Sequence, residues 1–323
     1  MRRLLFFIPL ILIGFQLKAQ YKTSYVVAKD GSGDFESIQK AIEDCKAFPD
    51  KRITIMVKNG VYREKVKVHS WNSNITMIGE SRDKTIISYD DYFDKIDKGR
   101  NSTFFSWTLL VEGDDFILEN LTVENTAGEV GQAVALHIEA DRVVVKNCDI
   151  EGNQDTIYLS GERSRQYFNN CMISGTTDYV FGGATAVFED CTLFTTRDSY
   201  ITAASTPQGV EFGFVFIDCQ LKAPDSVSQV YLGRPWRDYA KTVFIQCDLG
   251  DFILSEGWNN WGSEEKEKTS FYAEFENTGL GSDISGRADW SHQLSKSESK
   301  KYSLKSIFSV KKDHSSNSEW YKR

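Results

Sequence analysis

The stretch AVFEDCTL at residues 186–193 is one copy of a pattern that recurs along the chain. Each copy has an aliphatic or aromatic run, an amide or acidic residue, a Cys or Leu, and then a polar–apolar pair. The other copies lie at residues 116–123 (FILENLTV), 143–150 (VVVKNCDI), 166–173 (QYFNNCMI), 214–221 (FVFIDCQL) and 242–249 (TVFIQCDL). Successive Cys or Leu positions are 27, 23, 20, 28 and 28 residues apart, which is typical of one supersecondary unit in a solenoid. Units this short cannot bury their own apolar face, so we expect the copies to stack.

The composition of each copy favours strands over helices. Val, Ile, Phe, Tyr and Thr are abundant, and the breaks between them are made by Gly, Asn and Asp rather than by helix-period stretches. We therefore predict an all-β chain folded as a right-handed parallel β-helix, with inward Cys, Leu, Ile and Phe stacked along its axis. An antiparallel sandwich or barrel also has closely spaced strands. The fixed position of Cys in the repeat favours the solenoid.

Residues 1–19 have the three regions of a secretory signal peptide: a charged Met-Arg-Arg start, an apolar run that ends at Phe15, and a small-residue end at Ala19. The apolar run is short for a membrane span, although an uncleaved anchor is the alternative. We expect an exported protein, periplasmic or extracellular, with no membrane attachment after signal removal. Loss of these residues, which include three basic ones, takes the formal net charge from −8 to −11. Such a surface does not attract nucleic acid or anionic lipid.

The rest of the chain divides into a long domain and a short tail. Residues 20–294 contain no Pro/Gly/Ser-rich linker, so we expect one elongated domain and, by default, a monomer. Residues 295–323 are rich in Ser and Lys, and we predict that they form a polar, solvated extension. One set of apolar residues has helical spacing and predicts a short helix that caps the N-terminal end of the solenoid: Ile38, Ala41, Ile42 and Cys45.

The six cysteines have two interpretations. In an exported chain such a number suggests disulfides. Five of the six occupy the same position of the repeat beside apolar residues, which favours buried thiols that act as small hydrophobic groups. Neighbouring positions of the ladder lie close enough for disulfides to stay an alternative.

Histidine-based and metal-based chemistry finds little support. Histidine occurs only at positions 69, 137, 292 and 314, there is no Gly-x-Ser-x-Gly motif, and no His/Cys/Asp cluster has the spacing of metal ligands. His137 follows an apolar strand-like run, and we interpret it as a structural residue. The sequence therefore favours neither a Ser-His-Asp hydrolase nor a zinc enzyme.

Carboxylates and amides are the remaining candidates for chemistry. Asp155 lies in the island GNQDTIY and Asp178 begins the island DYVFGG, and these islands belong to successive copies of the repeat. Gln132, Gln154 and Asp178 recur at intervals of 22 to 24 residues, so one coil separates each from the next and all can share a face. Two carboxylates on that face can perform acid/base or nucleophilic work on a sugar polymer. Two amides can stabilise a developing oxyanion without a charge.

An ordered set of motifs resembles the pectin methylesterases, which are also called pectinesterases and form carbohydrate esterase family 8. The motifs follow the order of the family and cover nearly the whole chain after the signal. They are residues 27–35 (VAKDGSGDF), 59–66 (NGVYREKV), 75–79 (ITMIG), 125–128 (NTAG), 131–136 (GQAVAL), the two aspartate islands, 232–236 (LGRPW) and 257–261 (GWNNW). Each motif is weak alone, but the ordered set is specific.

The resemblance implies a carboxylic ester hydrolase that converts the C6 methyl esters of galacturonosyl residues in homogalacturonan to pectate and methanol. It implies Asp178 as nucleophile, Asp155 as general acid and base, and Gln132 with Gln154 as the anion hole. Arg234 is the natural cation beside Asp178, because its fork fixes both the charge and the geometry of a carboxylate. Two nearby carboxyl groups resist double ionisation, so Asp155 is expected to keep its proton and can act as the acid.

The substrate groove is expected to contain aromatic residues, because sugar rings have apolar faces that pack on them. The expected groove residues are Trp236, Tyr158, Phe181 and Trp258. Methylated pectin is the expected partner. Neither a metal nor an organic cofactor is expected, because acid, nucleophile and oxyanion donors are all side chains.

Other functions would leave different marks on the sequence. A same-family esterase or thioesterase acting on another substrate should lack the groove aromatics or the arginine. A non-catalytic pectin-binding β-helix should lack one of the paired aspartates. Polysaccharide lyases share the fold, but a lyase would need calcium-binding acids and a basic residue that abstracts a proton. None of these marks stands out here.

Overall fold

The computed structural model describes residues 21–161, 163–309 and 319–323. The predicted signal peptide lies outside these ranges. Short strands joined by turns make up most of the described chain, and helices are brief. Within the described ranges, no helix is both long enough and apolar enough to cross a membrane.

Three parallel sheets run along the described chain, and they are called here the first, second and third sheet. The first sheet has the strand order Ser24–Val27, Ile53–Val57, Ile75–Gly79, Ile117–Glu119, Val143–Lys146, Arg165–Asn169, Thr185–Glu189, Phe214–Ile217, Lys241–Ile245, Phe271–Phe275 and His292–Gln293. The second sheet contains Val66–Val68, Leu109–Val111, Leu136–Ile138, Ile157–Leu159, Val180–Gly182, Tyr200–Ala204 and Tyr231–Pro235. The third sheet contains Gly60–Arg63, Thr85–Tyr89, Thr122–Asn125, Asp149–Glu151, Met172–Gly175, Thr192–Thr195, Gln220–Lys222 and Asp248–Leu249. Each complete coil, from the one that begins at Ile53–Val57 to the one that begins at Phe214–Ile217, adds one strand to each sheet, which confirms the predicted right-handed parallel β-helix.

The repeat seen in the sequence corresponds to a corner that follows six consecutive strands of the first sheet, from Ile117–Glu119 to Lys241–Ile245. At each corner the amide or acid of the repeat has left-handed backbone, a conformation that Asn and Asp tolerate better than most residues. The corner residues, with φ between 52° and 59°, are Asn120, Asn147, Asn170, Asp190, Asp218 and Gln246. The next residue turns inward, and it is the buried Leu or Cys of the repeat. All six cysteines are free and buried, which agrees with the interpretation as small hydrophobic groups.

Aromatic side chains of the first sheet stack through the core. The rings of Phe168, Phe188, Phe216 and Phe244 follow one another with centroids 4.6, 4.6 and 4.4 Å apart. Burying each such side chain stabilises the fold by roughly 1.5–3 kcal/mol. The stack therefore fixes the register of successive coils, and this register positions the residues on the outer faces.

The helical segments are short. The α-helices are Ile38–Asp44, Phe93–Ile96, Glu264–Thr269, Lys296–Ser299 and Leu304–Phe308, and the 3₁₀ turns are Gly99–Phe105, Leu280–Ser282, Lys300–Tyr302 and Trp320–Lys322. The first helix is the one that the sequence predicted: its N-cap is Ser37, and Glu64 accepts a hydrogen bond from the Ile38 N–H at 2.9 Å. Its apolar residues are buried in the core of the first coil.

The C-terminal segment differs from the solvated extension that we predicted. Phe308 and Trp320 are each 2% exposed, and they belong to a cluster with apolar residues on the outer face of the first sheet, such as Val144 and Tyr167. The Arg165 guanidinium also donates to the Phe308 carbonyl at 3.1 Å. The prediction is wrong for these residues because the first sheet is apolar on both faces and its outer face needs a cover. Residues 310–318 of the extension lie outside the described ranges.

Candidate active site

The two aspartate islands meet on the outer face of the second sheet. Asp155 and Asp178 each lie two residues before a strand of that sheet, and the two strands are parallel neighbours. Pairing begins ahead of the strands, since Gln132 and Gln154 form a β-bridge. Consecutive coils therefore deliver the acids and the amides to one face, in agreement with their spacing in the sequence.

Both aspartates have left-handed backbone, with φ of 65° at Asp155 and 49° at Asp178. The next coil holds each of them: the Asp155 N–H donates to the Thr177 carbonyl at 3.0 Å, and the Asp178 N–H donates to the Tyr200 carbonyl at 2.7 Å. The two residues are only 8% and 5% exposed. Local backbone strain of this kind persists where the surrounding structure fixes it, so both carboxyl groups have set positions.

Arg234 holds Asp178 through two hydrogen bonds. Its Nε donates to Oδ1 at 3.0 Å, and its Nη2 donates to Oδ2 at 2.7 Å. The guanidinium lies between the rings of Tyr200 and Trp261, with its Cζ 3.8 and 3.7 Å from the two centroids. The bidentate contact and the two cation–π contacts together fix the plane of the guanidinium and, through it, the Asp178 carboxylate.

The glycine before Arg234 permits this arrangement. Gly233 pairs with Thr202 of the neighbouring strand, and a Cβ at Gly233 would lie 2.0 Å from the Thr202 Oγ1. The same hydroxyl donates to the Leu232 carbonyl at 3.0 Å, which ties the two strands together. Only a residue without a side chain fits there, so the motif LGRPW needs its glycine for close strand pairing.

The two carboxyl groups have different electrostatic environments. Asp155 forms no side-chain hydrogen bond or ion pair within the described residues, whereas Asp178 has Arg234. Burial raises the pKa of the Asp155 carboxyl well above its usual range, the Asp178 charge raises it further, and Arg234 lowers it. Burial also raises the pKa of Asp178, but the hydrogen bonds and charge of Arg234 act in the opposite direction. The contact with Arg234 therefore favours the ionised form at Asp178, and burial beside that charge favours the protonated form at Asp155.

Gln132 and Gln154 line the same cavity as the two acids. Neither side-chain amide forms a hydrogen bond in the described part of the chain. Their N–H groups are therefore available to an oxygen atom that gains negative charge in the cavity.

The cavity has a volume of about 250 Å³. One wall is the segment 90–107, which connects a strand of the third sheet to a strand of the second. The lining residues are Phe93, Arg100, Thr103, Phe104, Gln132, Gln154, Asp155, Asp178, Phe181, Ala203, Arg234, Trp236 and Trp261. Sequence reasoning missed the lining residues that belong to this wall, because the wall contains no copy of the repeat. They are Phe93, Arg100, Thr103 and Phe104. The long interruption before the copy at residues 116–123 is the signal that could have marked it.

Three of the four expected groove aromatics cluster at the cavity. Trp236 and Phe181 line it directly. Tyr158 packs against Phe181 and the wall residue Phe104, with ring centroids 4.6 and 5.0 Å away. Tyr158 therefore supports the lining aromatics from beside them.

Trp258 does not lie in the groove, and this expectation is corrected. It is 2% exposed, its Nε1 donates to the buried Glu274 Oε1 at 3.2 Å, and its ring packs on Tyr272 in the core. Trp261 of the same GWNNW motif reaches the cavity instead. The backbone of Trp261 is left-handed, with φ of 57°, and its N–H is bonded to the Asn259 side chain at 2.8 Å.

His137 lies on the second sheet but does not line the cavity. It is 3% exposed, and its Nε2 is 3.2 Å from the Ser160 hydroxyl and 3.1 Å from a Glu139 carboxylate oxygen. Among the described residues, no group of three His, Cys, Asp or Glu side chains is arranged to hold a metal ion.

The fold and the site together define a class: a parallel β-helix protein with a buried acid pair, an arginine on one acid, and free amides beside the other. Comparison with known proteins identifies the family. The pectinesterase family model matches residues 24–311. The chain belongs to the pectinesterase family.

Individual relatives agree with this assignment. The chain is 40% identical over 282 residues to a probable pectinesterase/pectinesterase inhibitor of Arabidopsis thaliana, a match that covers 84% of this chain and 49% of the relative. The chain thus spans about half the length of that curated relative. A pectin methylesterase from carrot superposes with a TM-score of 0.82 at 34% identity, covering 88% of this chain and 92% of the carrot chain. A pectin methylesterase in complex with a hexasaccharide has a TM-score of 0.75 at 26% identity, with coverage of 90% and 97%.

Proposed function

We propose that this protein is a pectin methylesterase that hydrolyses the C6 methyl esters of galacturonosyl residues in homogalacturonan. The observation that carries the proposal is the asymmetry of the buried acid pair. Asp178 is bonded twice to Arg234, and Asp155 has no such partner within the described residues. One carboxylate is thereby ready to attack, and one carboxylic acid is ready to donate a proton.

In the first half of the reaction, an Asp178 oxygen attacks the C6 carbonyl carbon of the ester. The carbonyl oxygen gains negative charge, and the amide N–H groups of Gln132 and Gln154 stabilise it. When the C–O bond to the methoxy group breaks, Asp155 gives its proton to the leaving oxygen, and methanol departs. The products of this step are a mixed anhydride between Asp178 and the galacturonosyl carbonyl, and an ionised Asp155.

In the second half, Asp155 acts as a base. It takes a proton from a water molecule, and the water oxygen attacks the same carbonyl carbon. The anhydride bond to Asp178 breaks, and both acids return to their starting states. The galacturonosyl carboxylic acid that is released gives its proton to solvent and becomes the carboxylate of pectate. Arg234 stabilises the Asp178 carboxylate when it leaves, because the guanidinium is already in place between two aromatic rings.

The substrate class has independent support. Trp236, Phe181 and Trp261 give the cavity apolar surface on which sugar rings pack, beside the polar catalytic groups. The similarity to a pectin methylesterase in complex with a hexasaccharide supports an oligosaccharide as ligand. The N-terminal pattern of residues 1–19 supports export from the cytoplasm, to a place where a cell-wall polysaccharide would be met.

The direct test is methanol release from highly methylated pectin by residues 20–323, with absorbance of unsaturated uronides followed in the same reaction. We expect methanol without unsaturated product, both before and after exhaustive chelation. Unsaturated product without methanol would make the protein a lyase. Activity that is lost on chelation and restored by calcium would contradict the cofactor-free mechanism.

A further inference from the structure

Arg100 is a cavity-lining cation that the reaction above does not use. It lies in the wall segment, at the second residue of the 3₁₀ turn Gly99–Phe105, and its neighbours in the cavity include Asp155 and Asp178. It forms no ion pair with any described residue, whereas Arg234, the other arginine of the lining, is bonded to Asp178. The side chain is exposed, so its guanidinium is accessible to a ligand that enters the cavity.

The backbone that carries Arg100 is tied to the catalytic face. The Ser102 hydroxyl donates to the Gly99 carbonyl at 2.9 Å and accepts from the Lys98 N–H at 2.8 Å, which closes the turn around Arg100. Nearby, the Phe93 N–H donates to the Gln132 carbonyl at 2.9 Å. The wall and the anion-hole residue therefore keep a fixed relation.

A second set of bonds holds the end of the wall. The Lys65 ammonium donates to the Phe105 carbonyl at 2.6 Å and pairs with Asp91 at 2.8 Å. Its Nζ also lies 4.4 Å from the ring centroid of Trp107. The wall is therefore anchored at both sides of Arg100, and the loss of the Arg100 side chain alone would leave these anchors in place.

We propose that Arg100 binds the free carboxylate of a galacturonate unit next to the unit whose ester reacts, and so directs the enzyme to esters beside demethylated units. This inference rests on the proposed function, since the neighbouring carboxylate is the product of that reaction. An arginine fork matches a carboxylate in charge and geometry, and charge-assisted hydrogen bonds are about twice as strong as neutral ones. A methyl ester at the same place offers only neutral acceptors.

The overall charge of the protein sharpens this inference. The formal net charge of the chain is −8, so the surface as a whole repels a demethylated, polyanionic chain. An unpaired arginine inside the cavity gives a local attraction against this background. The enzyme then distinguishes one correctly placed carboxylate from general negative charge.

The test uses two galacturonan oligomers of equal length, one fully methylated and one with about half of its units demethylated. Wild type is compared with Arg100→Gln and Arg100→Lys. The matched control is Lys98→Gln, which removes a positive charge two residues away from Arg100. The Lys98 ammonium lies 4.1 Å from the ring centroid of Phe105, and Lys98 does not line the cavity. Methanol release gives kcat and KM for each pair.

We expect Arg100→Gln to raise KM for the half-demethylated oligomer by about fivefold to tenfold relative to its effect on the methylated one. Arg100→Lys should restore part of the preference, and Lys98→Gln should keep the wild-type ratio. Equal changes on both oligomers in Arg100→Gln, or the same change in ratio in Lys98→Gln, would overturn the proposal.

A binding measurement separates this proposal from the proposed function. Fully demethylated trigalacturonate is titrated into wild type and Arg100→Gln in low and high salt. We expect Arg100→Gln to bind it about fivefold more weakly in low salt, with a smaller difference in high salt. Unchanged affinity would refute the role of Arg100. An absence of methanol release by wild type would instead refute the esterase function, whatever the binding result.

Discussion

The corners of the first sheet and the aspartate islands of the second sheet have the same backbone conformation and different chemistry. Asn147 at a corner has φ of 52°, and Asp178 in the site has φ of 49°. At the corner, the Asn147 side chain donates to the Asn120 side chain of the previous coil at 2.8 Å and lies near solvent. In the site, the Asp178 carboxylate is buried and bonded to an arginine. Left-handed backbone therefore places a polar side chain, but burial and neighbouring charges decide its reactivity.

Each region also has an arginine, and the two serve different ends. Arg82 donates to the Asp149 carboxylate at 2.7 Å, to the Asn147 side chain at 3.2 Å and to the Asn170 carbonyl at 3.1 Å, so it joins three coils at the corners. Arg234 bonds a single carboxylate and is held between two rings. The first arginine stabilises the stack, and the second sets the charge of one acid.

The largest difference between the regions should appear when an acid is made neutral. Asp178→Asn removes the proposed nucleophile and keeps the shape, so we expect methanol release to fall by at least about 10³-fold in a folded protein. Asp190→Asn makes the same change at an exposed corner with φ of 55° and should leave activity near wild type. Rates and circular dichroism of both variants give the comparison. A folded and active Asp178→Asn variant would disprove the assignment of the nucleophile.

A second comparison replaces each of the two arginines by glutamine in a separate variant. Arg234→Gln removes the cation that lowers the pKa of both Asp155 and Asp178. Without it both pKa values rise, so the pH at which Asp178 becomes ionised moves upward and the acidic limb of the kcat/KM profile moves with it. We also expect kcat to fall by about 10²–10³-fold, the usual loss for a preorganised electrostatic group.

The control for that experiment is Arg82→Gln. It should lower the melting temperature, because three corner contacts are lost. Its pH–rate profile should keep the wild-type position. A shift of the acidic limb in Arg82→Gln as well would mean that the pH dependence reports general stability and not the acid pair.

The sequence predicted the parts of the molecule that follow the repeat. The corner residue and the Cys after it occur once per coil, so the solenoid and its inward ladder are visible in the spacing alone. The same spacing brought Gln132, Gln154 and the two aspartates to one face. The wall segment was missed because its position depends on long-range contacts, such as the bonds from Lys65, that leave no periodic pattern.

Two further errors have physical causes. Trp258 and Trp261 occur in one short motif, and local sequence does not reveal which of them has the left-handed backbone that turns its ring to the cavity. The C-terminal residues contain many Ser and Lys, and composition alone hid the few buried aromatics among them. The apolar outward positions of the first sheet, such as Val187 and Val215, were the available sign that something must cover that face.

The two tryptophans of the motif allow a smaller test of the difference between site and core. Trp261→Ala removes one of the two rings that pack on the Arg234 guanidinium and one lining side chain of the cavity. We therefore expect kcat/KM to fall about tenfold with little change in stability. Trp258→Ala leaves a hole in the core and should destabilise the fold by about 3–5 kcal/mol. Chemical unfolding and kinetics of both variants would separate the two roles. A stability loss as large in Trp261→Ala would contradict its place in the cavity.

The smallest expected effect concerns how the stability of the fold depends on pH. This dependence has opposite signs at Asp155 in the site and at Asp115 beside the first sheet. Burial raises the pKa of Asp155, so its contribution to folding is fully present below the unfolded pKa, about 4, and is lost as pH rises through the folded pKa. Asp115 has left-handed backbone and lies two residues before the strand Ile117–Glu119 of the first sheet. Burial alone would also raise the pKa of Asp115, but its bonds to Arg142 at 2.6 and 3.0 Å make the pKa lower than usual. The contribution of Asp115 is therefore present above the unfolded pKa and lost as pH falls.

Asp155→Asn should accordingly raise the melting temperature at pH 7 by a few degrees, because a buried acid that resists ionisation has been replaced by a neutral group. Asp115→Asn should lower the melting temperature at pH 7 by about 3–6 °C, because Arg142 keeps only Asp141 of its two charged partners and Arg323 loses its ion pair with Asp115. Both differences from wild type should shrink towards pH 3, where the carboxyl groups are increasingly protonated. Melting curves from pH 3 to 8 measure this directly. A lower melting temperature for Asp155→Asn at pH 7 would mean that Asp155 is stabilised as a charge in the folded protein, and it would then be unsuited to give methanol its proton.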